Sequence, residues 1–395
     1  MSLAQISADQ LPAVHGGPPA FSERFPFIRP LLPPLAEVMT YYEAAYTNRL
    51  VTNGDCVARF ESAAAEALGA KYCVAVSSCT SGITLVLRAL DLRGEVILPS
   101  HTFFATGHAV RWNGLRPVFA DCHPKTWTID PVDVERKITS RTSAILAVHL
   151  YGNPCNVEAL TEIATRRSLK LVFDAAHAFG SRYRGRPVGQ FGEAEVFSLS
   201  PTKLLVAGEG GLVATNDAVL ANALRALRNY GDSGTYDPEW LGANARMSEF
   251  NAALGLAGLA MLDKKIRRRA SIAQQYTEAL SGLPGIRFQH VDKQDLATFK
   301  DLSVHITPSQ FGLSRDRVSQ MLIAENIETR KYFYPPLHRQ KLYHRYHDPR
   351  RGHLPETERI SGGILSLPIY ETLTDEAVDG ISQAIVRLYL HHSAN

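Results

Sequence analysis

The chain has 395 residues, 45% of them hydrophobic and 21% charged, which supplies enough apolar material for a sizeable core and excludes wholesale disorder. Its formal net charge of +3 is too mild to point to nucleic acid or an acidic membrane surface as a partner. Five irregularly spaced cysteines (Cys56, Cys73, Cys79, Cys122 and Cys155) form no CxxC pair and read as reduced thiols of a cytoplasmic protein.

In chain order, the N-terminal stretch MSLAQISADQLPAVHGGPPAF lacks the basic start and apolar run of a secretory signal. No apolar run reaches the ~18 residues that would suggest a membrane span. Then DCVARFESAAAEALGA places Val57, Phe60, Ala64 and Leu68 at helical spacing. From there strands and helices alternate. YCVAVSS is a strand, SGITLVLRAL a helix and EVILPS a strand. PVFAD, SAILAVHL, KLVFDAA, AEVFSLS and GGLVATN continue the strand series, with helices such as VEALTEIATRRS and AVLANALRALRN between them. Strands that read as continuous apolar runs are buried on both faces, so the pattern predicts an α/β domain with a mostly parallel sheet. The run SEFNAALGLAGLAMLDKKIRRRASIAQQYTEAL predicts two helices or one bent helix leading into a smaller domain. Beyond SGLPG the pattern becomes α+β, with strands near IRF, DLSVHIT and ETRKYF and helices at RDRVSQMLIAEN and DEAVDGISQAIVRLYL. The division expected is an N-terminal segment over residues 1–30, a large domain over 31–262 and a small domain over 263–395.

Within this frame SLSPTKLLVAGEGG places a single lysine, Lys203, between an apolar strand and a glycine-rich turn. A loop lysine is ordinarily a solvated charge. Four features change its meaning. Asp174 ends the apolar strand of KLVFDAAHAFG, where ligands collect in open α/β sheets. Read by itself it is a helix cap; read with a lysine it is a partner for a protonated ring nitrogen. The turn SSCTSG joins a strand to a helix, where amides and hydroxyls favour an anion as well as a cap. Phe103 in PSHTFFAT is a core residue or a cover for a flat ring, and Ser198 is a strand-end serine or a phosphate ligand. Pyridoxal phosphate needs these groups together: a lysine for its aldehyde, a carboxylate for its pyridinium, donors for its phosphate and an aromatic face for its ring.

FDAAHAFG, SLSPTKLLVAGEGG and LGANARMSEFNAALGL closely resemble the DegT/DnrJ/EryC1/StrS aminotransferases, and the resemblance runs from GGPPAF to the last helix. It implies the aspartate-aminotransferase-like fold type I, with a seven-stranded, mostly parallel sheet in the large domain. It implies pyridoxal 5′-phosphate as a Schiff base on Lys203, with pyridoxamine phosphate as the intermediate form. Asp174 would pair with the ring nitrogen, His177 lie on the ring face and Phe103 stack on it. Ser198, Thr80 and the amide of Cys79 would hold the phosphate. Asn244 would reach the phosphate of a neighbouring subunit, so the implied partner is a second copy in a homodimer with shared active sites. The implied reaction moves an amino group from L-glutamate to a nucleotide-linked keto-deoxysugar. GGPPAF, the EVILPSHTFFATGHAVRWNGLRPVFAD stretch and TRKYFYPPLHRQ resemble the branch that aminates C4 of dTDP-4-keto-6-deoxyglucose, with C3 amination of a dTDP-3-keto sugar as the alternative. Arg330, Tyr332 and His338 are candidate substrate contacts, against a reading as small-domain packing and surface.

Two departures stand out: Ser-Cys-Thr-Ser where the family commonly has Asn-Gly-Thr-Ala, and Leu and Ser in SLSPTK where Phe and His are common. A dehydratase branch that works with the aminated cofactor carries His at the lysine position, so Lys203 argues against it; the intact Lys203, Asp174 and Ser198 set argues against a cofactor-free regulatory protein. GEGG precedes a strand and lacks the second half of a dinucleotide fingerprint. His338, His344, His347 and His353 lack the cysteine or carboxylate arrangement of a metal site, and no metal is expected. The cluster DKKIRRR reads as a solvated helix face, or as attraction for a nucleotide diphosphate.

Overall fold

A computed structural model describes residues 11–393. The opening residues of the N-terminal segment, MSLAQISADQ, lie outside the described residues, and with them half of the stretch read for a secretory signal.

Twelve strands are present among the described residues: β1 (Tyr72–Val76), β2 (Glu95–Pro99), β3 (Arg116–Ala120), β4 (Thr142–Val148), β5 (Lys170–Asp174), β6 (Arg182–Tyr183), β7 (Arg186–Pro187), β8 (Ala194–Ser198), β9 (Gly211–Thr215), β10 (Ile286–Phe288), β11 (Leu302–Ile306) and β12 (Ile364–Leu367). Seven of them form one sheet in the order β1-β9-β8-β5-β4-β2-β3. Only β9 runs antiparallel to its neighbours in that sheet, pairing Val213 with Val74 on one side and with Val196 on the other. The fold is therefore the aspartate-aminotransferase-like type implied by the resemblance, with a mostly parallel seven-stranded sheet.

Alternate residues of each strand feed different apolar layers. On one side Cys73, Ala75, Ile97, Ile145, Phe173 and Phe197 pack with the helices Asp55–Leu68 and Glu249–Leu259; on the other Val74, Val76, Val96, Leu98, Val172 and Val196 pack with Cys79–Ala89 and Ala218–Leu227. Burial on both faces is why these strands read as unbroken apolar runs. Glu249, itself fully buried, accepts from the amides of Gly54, Cys56 and Val57 and so satisfies the exposed start of the Asp55–Leu68 helix.

The long helical run is two helices, Glu249–Leu259 and Leu262–Leu280, with Ala260 and Met261 between them. A three-stranded antiparallel sheet, β10-β11-β12, follows and carries a third apolar layer with Arg315–Ala324 and the closing helix Asp375–Ser393. The strand expected at ETRKYF is one antiparallel bridge, Arg330 to Ser366. That bridge is made to β12, the edge strand of the sheet, which the sequence reading passed over. Phe21 and Phe25 of the N-terminal segment pack on this same apolar layer, and Phe25 bridges Ile327.

Candidate active site

The carboxyl ends of β1, β2, β4, β5 and β8 open on a cavity of about 360 Å³, where an open α/β sheet collects ligands. Ser78, Cys79 and Thr80 line it after β1, Thr102 and Phe103 after β2, Asp174 and His177 after β5, and Ser198 and Lys203 after β8. Lys300, Tyr332 and Phe333 close it from the C-terminal part of the chain.

Asp174 is buried, with 5% of its surface exposed. Its Oδ2 accepts from the Thr106 hydroxyl at 2.7 Å and its Oδ1 from the Ala176 amide at 3.1 Å. Burial raises its pKa above the ordinary carboxylate value, while the Thr106 and Ala176 hydrogen bonds and the nearby Lys203 pull the other way. Behind it, the His149 amide donates to the Asp174 carbonyl at 3.1 Å. The His149 ring stacks on Phe173 and meets Glu195 through Nε2 at 3.0 Å, so the strand end is held from its buried side.

Lys203 is half-buried in a turn closed by its own amide on the Ser200 carbonyl at 3.0 Å. Loss of solvent, followed by repulsion from Lys300, lowers its amine to about 8; Asp301, Cys79 and Asp174 oppose the shift. Such an amine is far more often free to attack a carbonyl near neutral pH than an exposed lysine.

Ser78 caps the helix Cys79–Ala89 in a reciprocal box with Ser81. The amides of Cys79 and Thr80 come next in the first turn and have no acceptor within the helix, so with the helix dipole they form an anion-binding end. Ser198 adds a hydroxyl from β8, 3.4 Å from that of Ser200. The start of β9 lies so close that a Cβ on Gly211 would stand 2.6 Å from the Cys79 nitrogen. The Cys79 thiol lies 3.4 Å from the Val196 carbonyl and 3.9 Å from Asp174 Oδ1, and burial pushes its pKa well up.

His177 accepts from the Tyr151 amide through Nδ1 at 3.1 Å, which leaves the proton on Nε2. Burial first, then Lys203 and Lys300, keep the ring neutral by pulling its pKa well below the ordinary value. Phe103, 43% exposed, pairs with Phe333 at a ring-centroid distance of 5.9 Å.

The remaining sequence candidates separate. Tyr332 lines the cavity. Arg330 stands beside it, lining an adjoining recess with Phe103 and Phe104, its guanidinium over Phe27 and near Glu328. His338 is brought to neither: it is buried, with Nδ1 on the Ser100 hydroxyl and Nε2 on Glu358, both at 2.7 Å, tying the strand end of β2 to the helix Pro355–Gly363. Asn244 is exposed, off the cavity, on a segment bridged to Asn229.

Sequence reading missed Thr106, Lys300 and Phe333. Thr106 lies in the first turn of the helix Phe104–Trp112, and its spacing from the β2 end was the available signal. Lys300 stands beside Asp301 just before β11, a charged pair opening an apolar strand, which is indistinguishable in sequence from a solvated loop.

Residues 36–386 match the DegT/DnrJ/EryC1/StrS aminotransferase family. The dTDP-4-amino-4,6-dideoxy-D-glucose transaminase of Escherichia coli is 35% identical over 91% of this chain and 98% of its own length. The dTDP-3-amino-3,4,6-trideoxy-alpha-D-glucose transaminase of Streptomyces venezuelae is 40% identical over 77% and 80%, respectively. Among solved structures, DesI in the presence of its TDP-sugar product superposes with a TM-score of 0.90 at 39% identity, covering 98% of this chain and 97% of that one. With the sheet, the cavity and the lysine–aspartate pair in place, the chain belongs to the DegT/DnrJ/EryC1/StrS aminotransferase family and is an aminotransferase.

Proposed function

We propose that the protein is a pyridoxal-phosphate-dependent aminotransferase that moves the amino group of L-glutamate to C4 of dTDP-4-keto-6-deoxyglucose. The observation that carries this reading is the gathering of Lys203, Asp174, His177 and the start of the Cys79–Ala89 helix around one cavity. The donor set fits the cofactor. A buried carboxylate with two protein donors can take a third from a protonated ring nitrogen. A lysine lowered to about 8 suits an aldehyde, and an uncapped pair of amides suits a phosphate.

Bound there, pyridoxal phosphate supplies an aldehyde that takes up the amino nitrogen and a ring that stores the electron pair released at the neighbouring carbon. Lys203 would hold it covalently. Asp174 would keep the proton on its ring nitrogen, because an ionised carboxylate in a buried site strongly favours a facing cation. The amides of Cys79 and Thr80, with Ser198, would bind the phosphate. His177 and Phe103 would bracket the ring. The Lys203 amine would move the proton taken from the donor's α-carbon, a shuttle that needs an amine whose pKa lies near the working pH.

Similarity to the dTDP-4-amino and dTDP-3-amino sugar transaminases supports a nucleotide-linked keto-deoxysugar as acceptor. The C4 assignment follows the relative that spans most of both chains; C3 is the second reading, favoured by the higher identity over a shorter stretch. Homodimer formation is supported by Asn244, exposed and off its own cavity, on a segment that also exposes Tyr236 and Leu241; in a second copy's site it would complete the phosphate pocket. Five buried thiols without a disulfide suit a reducing cytoplasm. Reverse turnover on a panel of dTDP-3-amino and dTDP-4-amino sugars tests the assignment: the 4-amino sugar is expected to be consumed, and consumption of the 3-amino sugar alone would contradict it.

A further inference from the structure

Transamination asks one cavity to accept two unlike molecules in turn, an amino acid with an α-carboxylate and a sugar ring with none. We propose that Lys300 receives the carboxylate of the amino donor and that Asp301 is the counter-ion that takes up its charge when the uncharged sugar ring occupies the same place. The inference rests on the transaminase reading above and identifies how that site tells its substrates apart.

Among the described residues, Lys203 and Lys300 are the two cationic side chains that line the cavity. Lys203 is committed to the carbonyl chemistry, which leaves Lys300 for an anion other than the phosphate. Lys300 is 4% exposed, and its Nζ donates to Asp301 Oδ1 at 2.7 Å. An ammonium has three donors, so two remain for a ligand. Asp301 Oδ2 is buried without a hydrogen-bond partner, so this carboxylate is not fully engaged by the protein. The ammonium also stands 5.3 Å from the centre of the Tyr332 ring, a wall of the cavity.

The backbone around Lys300 is fixed. Its amide donates to the Tyr151 carbonyl at 2.9 Å, and its carbonyl accepts from Arg269 at 2.8 Å. Arg269, almost wholly buried, is itself held by Glu371 at 2.8 Å. A charged side chain anchored this firmly at a cavity wall is pre-organised to bind an anion. An ion pair with a spare acceptor also avoids stranding an uncompensated charge when the sugar enters.

The test uses the cofactor-loaded protein and glutarate, a dicarboxylate without the reacting amine. Two variants are compared with the wild type: Lys300→Arg, which keeps the cation, and Lys300→Met with Asp301→Asn, which removes both charges and leaves neither buried alone. Glutarate binding by calorimetry, and the KM for L-glutamate, are expected to weaken about ten- to hundredfold in the double variant and to return to within a few-fold in Lys300→Arg. The KM for the amino sugar in the reverse half-reaction is expected to stay within about twofold, a split that general loss of structure would not produce. Unchanged glutarate affinity in a double variant that still reacts with the amino sugar would overturn the assignment to Lys300 and leave the transaminase reading standing. A wild-type protein inert to both L-glutamate and the amino sugar would overturn that reading and this inference together.

Discussion

The hydroxyl of Thr106 donates to Asp174 Oδ2 at 2.7 Å, joining the first turn of the Phe104–Trp112 helix to the end of the central strand β5. This bond opposes the burial that raises the pKa of Asp174. It keeps available the negative charge that a protonated ring nitrogen needs. Thr106→Val preserves the shape and removes the donor. The acidic limb of the kcat/KM profile is then expected to move to higher pH, with an activity loss of about tenfold at pH 7. An unchanged pH profile would show that the hydroxyl does not control Asp174.

Asp174 also predicts a trade of stability against function. Its folded pKa is raised, so the protonated form is favoured in the folded protein. Relative to the unfolded chain, the contribution is most favourable below the unfolded pKa and is lost as pH rises through the folded one. In the cofactor-free protein, ionising this buried carboxyl therefore costs stability. Asp174→Asn is expected to raise the Tm of the cofactor-free protein at pH 7, the advantage shrinking as pH falls, while abolishing transamination. Equal Tm values at pH 7 would contradict the electrostatic account.

For Lys203 the sign is opposite in origin. Burial and Lys300 lower its pKa to about 8, so the neutral amine is favoured in the folded state. The stability cost of charging this amine is fully present below about 8 and is relieved as pH rises from there towards the unfolded value of 10.5. The rate at which the cofactor-free protein captures pyridoxal phosphate should rise with pH, with a midpoint near 8. Stopped-flow absorbance reads it directly, and a midpoint near 10.5, the value of an unperturbed lysine, would contradict the burial argument.

Most of the framework was legible in the residues. All seven strands of the main sheet coincide with apolar runs, because a strand covered on both faces leaves its mark at every position. The small sheet was harder. β12 is only four residues long and follows directly on the helix Pro355–Gly363, which absorbs the Gly362-Gly363 pair before it, and ETRKYF has strand composition but pairs at one bridge only. Lys203 and Asp174 were readable because one follows and the other ends an apolar strand, at the carboxyl end of the same sheet. Lys300 was not, since it reaches the cavity only through the folding of the chain from β11 back against Tyr151. His338 shows the converse: a histidine in an aromatic loop whose two ring nitrogens are both engaged by Ser100 and Glu358. Asn244 carries no signal within one chain, because the role expected for it belongs to a second copy.

Gly211 explains part of the GEGG motif. A Cβ there would stand 2.6 Å from the backbone of both Ser78 and Cys79, so the start of β9 passes against the turn that opens the Cys79–Ala89 helix. Neither backbone can yield without moving the other. Gly211→Ala is expected to cost about 1–3 kcal/mol in stability and to weaken cofactor binding by displacing the Cys79 and Thr80 amides. Fluorescence titration of the cofactor, with thermal unfolding in parallel, checks both. Unaltered cofactor affinity would remove those amides from the phosphate site.

The measurement closest to the centre of the account is the site of covalent attachment. The cofactor-loaded protein is reduced with borohydride, digested, and the pyridoxyl-lysine located by mass spectrometry. The account predicts the label on Lys203, with no label in Lys203→Ala. A label on Lys300 or on any other lysine, or none in a protein that still transaminates, would contradict it.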